Sequence, residues 1–163
     1  MVSKESTTCP CLILACGNAL RGDDGVGPWL AGWAEERIGA DPRVRVKAQT
    51  QWTPELAEEI ASVGAVIFID CSMSAPPGAV DISEVHAAPG SRVPGSHHLD
   101  AAALLALSRE LYGRTPASAR ILTIGVGSIE LGEGFSEPVK AALPDACRAL
   151  ERTVIQVLSA EAS

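Results

Sequence analysis

The chain has 163 residues, 47% of them hydrophobic, which is enough apolar material for one core of ordinary size. Aromatic residues make up only 4%, so that core must be built mainly from Ala, Leu, Val and Ile. A net charge of −7 argues against nucleic acid, which needs clustered Lys and Arg, and against an anionic membrane surface.

No apolar run approaches the roughly 20 residues of a membrane span, and the run after residue 8 is too short for the core of a signal peptide. The expectation is a cytoplasmic protein with one domain over residues 1–163, residues 1–9 forming a frayed tail. Five cysteines, an odd number placed in or beside apolar runs, fit reduced thiols better than a disulfide framework.

Cys11 to Cys16 is an apolar run that reads as a buried strand. A glycine-rich loop, Gly17 to Gly27, leads into a helix predicted from about Gly25 to Ile38. After the Asp41-Pro42 turn, Arg43 to Lys47 alternates charged and apolar residues, as a more exposed strand would. Thr53-Pro54 reads as a helix cap followed by proline at the first helical position, with a short helix to about Ser62.

Ala65 to Asp70 is the clearest strand, a continuous apolar run that ends in a carboxylate. Val80 to Val85 alternates as a strand and follows it by about nine residues. A parallel crossover needs a dozen or more, so this strand is expected to be antiparallel. Asp100 is placed to cap a helix over Ala101 to Tyr112, and Ala119 to Val126 is the last strand. Ser136-Glu137-Pro138 starts a final helical region, which Pro144 either kinks or splits. The order βαβαββαβα describes a three-layer α/β/α fold. Its five-stranded sheet is mostly parallel with one antiparallel strand.

In such a fold, sites lie at the carboxyl ends of strands. Asp23 and Asp24 sit there, at the start of the first helix. Unpaired N–H groups and partial positive charge at a helix start can consume one aspartate as a cap, which leaves its neighbour over. The surrounding glycines fit neither Gly-x-Gly-x-x-Gly nor the Gly-Lys-[Ser/Thr] ending of a P-loop, and paired aspartates repel phosphate. Asp70 closes the most apolar strand, although Asp is depleted in strands. It either caps the following turn or faces the same crevice as the Asp23–Asp24 loop.

His97 and His98 precede the Asp100-capped helix. Asp24, Asp70 and one of these two imidazoles would make an open three-ligand site suited to Zn²⁺ or Ni²⁺. Cys9-Pro10-Cys11 with Cys16 is a rival cluster, but it has no second pair at zinc-finger spacing, so buried thiols are the simpler reading. Cys71 follows Asp70 and could reach the crevice. No Gly-x-Ser-x-Gly elbow and no cysteine-protease constellation is evident.

Gly17-Asn18-x-Leu20-x-x-Asp23-Asp24-Gly25-x-Gly27 resembles the N-terminal signature of the hydrogenase maturation endopeptidases. Ile69-Asp70 resembles their second motif, and Ser96-His97-His98-Leu99 before a Leu-rich helix resembles their third. Ile124-Gly125 and Ser136-x-x-Val139-x-x-Ala142 also fit, so the similarity runs from about Leu12 to Leu158.

The resemblance implies an endopeptidase that removes the C-terminal extension of a [NiFe] hydrogenase large-subunit precursor after nickel insertion. It implies that Asp24, Asp70 and His97 engage the nickel carried by that precursor, with His98 as the neighbouring candidate. The chain departs from the family pattern in two places. The second acid of the first motif is often Glu and is here Asp24, and Cys71 stands where a small residue such as Ala is common. The competing expectations are a metal-dependent hydrolase with its own ion, or a metal-binding module without catalysis.

Overall fold

The computed structural model describes residues 10–88, 99–132 and 134–161. Five strands form one sheet: β1 (Cys11–Cys16), β2 (Val44–Gln49), β3 (Ala65–Ser72), β4 (Val80–Glu84) and β5 (Ser118–Gly125). Their order is β2-β1-β3-β5-β4. β2, β1, β3 and β5 are parallel, and β4 pairs antiparallel with β5 at one edge. The helices are α1 (Val26–Arg37), α2 (Leu56–Ala61), α3 (Ala101–Tyr112) and α4 (Glu137–Glu161).

The continuous apolar runs of β1 and β3 follow from burial on both faces. Ile13, Ala15, Ile67 and Ile69 point to one side, where they pack with Val26 and Leu30 of α1 and with Val139, Leu150 and Val154 of α4. Leu12, Leu14, Val66 and Phe68 point to the other, against Leu56 and Ile60 of α2 and Leu104 and Leu105 of α3. β2 is flanked by a neighbour on one side only, and its Arg45 and Lys47 side chains both pair with Glu59 of α2.

The antiparallel direction expected for β4 is found, and Asp100 caps α3 by accepting a hydrogen bond from the Ala103 N–H at 2.8 Å. Two boundaries differ from the sequence reading. Thr53 does not cap α2 with its side chain. Thr53 and Pro54 form a hydrogen-bonded turn, and the helix begins at Leu56.

Pro144 does not split the last helix, which runs unbroken from Glu137 to Glu161. Val139, Ala142, Ala146, Leu150, Val154 and Val157 are buried at helical spacing on both sides of it, so packing holds both halves against the sheet. Pro144 itself faces solvent, where water can satisfy the carbonyl that it leaves unbonded.

Candidate active site

β1 is followed in sequence by β2 on one side of it, and β3 lies on its other side. The carboxyl ends of β1 and β3 therefore flank the point at which the winding reverses, the place where open α/β sheets leave a crevice. The loop after β1 is folded down tightly onto this edge. A Cβ on Gly17, whose φ is +153°, would lie 2.1 Å from the Asp24 carbonyl oxygen. One on Gly27 would lie 2.4 Å from the Cys16 carbonyl oxygen. Only glycine lets the loop and the first turn of α1 approach so closely.

The adjacent acids of this loop have separate tasks, and neither caps α1 with its side chain. Asp23 is 1% exposed and turns inward. One of its oxygens accepts from the Ser136 N–H at 2.6 Å. The other accepts from the Gly127 and Ser128 N–H groups at 2.8 and 3.1 Å and from the Ser136 hydroxyl at 2.7 Å. Burial opposes its charge, yet these donors outweigh burial and hold the carboxyl below the ordinary carboxylate range. Asp23 thus clamps the β5–α4 loop to the β1 loop.

Asp24 is the acid left over. Its Oδ2 accepts from the Asn18 N–H at 2.9 Å and its Oδ1 from the Cys71 thiol at 3.2 Å. Asp70, at the end of β3, directs Oδ1 to the N–H of Cys71 at 2.8 Å. Of the two readings of Asp70, turn cap or crevice acid, the structure supports the second by bringing Asp24 and Asp70 together around Cys71.

The neighbourhood is hostile to negative charge. Asp70 is pushed up to about 6, first by burial and then by the charge of Asp24, with the Cys71 N–H opposing. Cys16, at the end of β1, is pushed up to about 12 by burial and by the same two carboxylates. Cys71 is raised further, by burial first and then by Asp24 and Asp70. Both thiols therefore stay protonated at neutral pH. An apolar cavity of about 460 Å³ lies against the outer side of the same loop, lined by Leu20, Pro28, Trp29 and Phe135. Trp29 and Phe135 meet edge to face at 6.5 Å.

His97 and His98 lie outside the described residues, as do the expected tail at residues 1–9 and Cys9. His86 is exposed beside Glu84, at the far end of β4. Cys11 is fully buried within β1. Among the described residues, no three His, Cys, Asp or Glu side chains are arranged to hold a metal ion. Asp24 and Asp70 would need a further donor from elsewhere. Sequence reasoning missed the Cys71 tie between the carboxylates and the partners of Asp23. The first had a signal, a thiol directly after Asp70. The second had none, because those partners are more than 100 residues away.

The same α/β/α fold is found in solved hydrogenase maturation proteases. The chain is similar to the hydrogenase maturating endopeptidase HybD from E. coli, with a TM-score of 0.74 and 20% identity over 90% of this chain and 92% of that one. It is also similar to the [NiFe] hydrogenase maturation protease HycI from Thermococcus kodakarensis KOD1 (TM-score 0.69, 24% identity, 94% and 95% covered). The [NiFe] hydrogenase maturation protease HybD from Thermococcus kodakarensis is a third (TM-score 0.61, 25% identity, 88% and 97% covered). No protein-family model and no curated protein matches the chain. At these identities the likeness establishes the fold, as the motif resemblance led one to expect. Among the described residues, no helix is long and apolar enough to cross a membrane.

Proposed function

We propose that this protein is an endopeptidase that removes the C-terminal extension of a [NiFe] hydrogenase large-subunit precursor once nickel has been inserted. The observation that carries the proposal is the meeting of Asp24 and Asp70 at the reversal point of the sheet, each hydrogen-bonded to Cys71. Two facing carboxylates, Asp24 in the loop after β1 and Asp70 near the end of β3 with its pKa pushed up to about 6 by burial, are an unfavourable arrangement for the protein alone. A cation brought by the substrate offsets that cost.

In this reading nickel belongs to the precursor. Asp24, Asp70 and one of His97 and His98 bind it, so a nickel-free precursor lacks its anchor and cleavage waits for metal loading. The same ion can polarise the scissile carbonyl, and a carboxylate or an activated water delivers the attack. The apolar cavity beside Leu20 and Trp29 gives the arriving segment a surface to rest on. The names of the similar solved structures, hydrogenase maturation proteases, support the same reaction class.

The test is mass spectrometry of a nickel-loaded precursor before and after incubation with this protein. A C-terminal peptide of defined mass should be lost, and nickel-free precursor should stay intact. Asp24→Ala and Asp70→Ala should stop processing without unfolding the protein, and parallel His97→Ala and His98→Ala assays should identify the imidazole. Full activity in both aspartate variants rejects the site.

A further inference from the structure

We propose that Cys71 is the positioning residue of this site, one residue that fixes both carboxylates. Its backbone N–H holds Asp70 and its thiol hydrogen holds Asp24. The inference rests on the reading that Asp24 and Asp70 bind the metal of the precursor.

The argument is geometric. Asp70 and Cys71 are consecutive residues of β3, so their side chains leave opposite faces of the sheet. Cys71 packs against the core under α1 and α4, which brings its sulfur beneath the loop that carries Asp24. In the pair of sulfur and Asp24 Oδ1 the thiol is the donor and the carboxyl oxygen accepts. With the Asn18 N–H on Oδ2, both oxygens of Asp24 are held and the side chain cannot turn about its own axis. Each oxygen still has a lone pair to offer. Without the thiol, Asp24 keeps only the Asn18 contact and can swing away from the negative charge of Asp70. The donor pair would then lose its spacing before any metal arrived. Partners that orient metal ligands in this way are worth about 10- to 100-fold in affinity or activity.

The experiment combines infrared spectroscopy and metal titration on the full chain. The S–H stretching band lies in a spectral window free of other protein bands, and the difference between wild type and Cys71→Ala assigns the Cys71 component. In Asp24→Ala that component should move to the position of a thiol without an acceptor. Titration with Ni²⁺ alone should show a loss of about 10- to 100-fold in affinity for Cys71→Ala. Cys71→Ser, which still presents a hydrogen to Asp24, should recover most of it. Circular dichroism confirms that each variant is folded.

An S–H band indifferent to Asp24→Ala overturns the proposal. So does Ni²⁺ binding in Cys71→Ala equal to wild type. A thiolate-to-nickel charge-transfer band that vanishes in Cys71→Ala also overturns it, because Cys71 would then be a ligand. The infrared measurement needs neither metal nor precursor, and failure of the peptidase reading appears separately, as wild-type protein that leaves the nickel-loaded precursor uncut.

Discussion

Asp70→Asn should make the empty protein more stable while it removes a donor from the site. The carboxyl is buried at the end of β3 and its pKa is pushed up from 3.8 to about 6, by desolvation first and then by Asp24. Asn has nearly the same shape, and its side-chain oxygen can still accept the Cys71 N–H, so the main change is the loss of a charge that the fold resists. The shift from 3.8 to about 6 corresponds to at most about 3 kcal/mol. The sign follows from linkage. A carboxyl raised in the folded state contributes stability that is fully present below 3.8 and lost as pH rises through about 6. Wild type therefore carries the full penalty at pH 8, and the variant carries none. For a domain of this size, such a difference raises the melting temperature by about 6–10 °C. The assay is thermal and urea unfolding of both proteins from pH 4 to pH 8. The gap should be widest at pH 8 and close as pH falls below about 6. Equal stability at pH 8, or a gap that does not change with pH, refutes the reasoning that Asp70 is held charged against the preference of the fold.

Asp23→Ala should destabilise by about 3–5 kcal/mol in urea, because it strands three backbone N–H groups and the Ser136 hydroxyl in a buried place. The Asp23 contribution should be present above pH 3.8 and disappear as pH falls through its lower folded value, so wild type and variant should converge in strong acid. Gly27→Ala should cost about 3 kcal/mol, since the new methyl would press on the Cys16 carbonyl oxygen and neither backbone can yield cheaply. Gly32→Ala in the same helix meets nothing within 4 Å and should stabilise by up to about 1 kcal/mol, which makes it the control in the same denaturation series.

The strands were legible because burial on both faces writes itself as an unbroken apolar run, as in Ala65 to Asp70, and because charge alternation marks β2. The direction of β4 followed from the shortness of its connection to β3. The approach of Asp24 to Asp70 was legible from topology, since the Asp24 loop follows β1 and Asp70 lies near the end of its parallel neighbour β3. What separates Asp23 from Asp24 was not. The two are chemically identical and adjacent, and the one that turns inward is decided by Gly127, Ser128 and Ser136 on the far side of the chain. The start of α2 was misplaced because a turn at Thr53-Pro54 and a capped helix look alike locally. The continuity of α4 through Pro144 depends on a core that the sequence does not display residue by residue. The two departures from the motifs that the chain resembles, Asp24 and Cys71, are hydrogen-bonded to each other, a relation hidden by their separation of 47 positions.

The contact between Asp23 and Ser136 spans 113 positions of a 163-residue chain. Ribosomes deliver the amino-terminal end first. Strand β1 and its acidic loop are therefore made early, but Asp23 has none of its donors until the stretch before α4 has emerged. A nascent or truncated chain that stops before Gly127 carries both acids of the loop and all five strands, yet leaves Asp23 without its donors. The inward anchor of the loop is in this way reserved for a chain synthesised beyond the sheet.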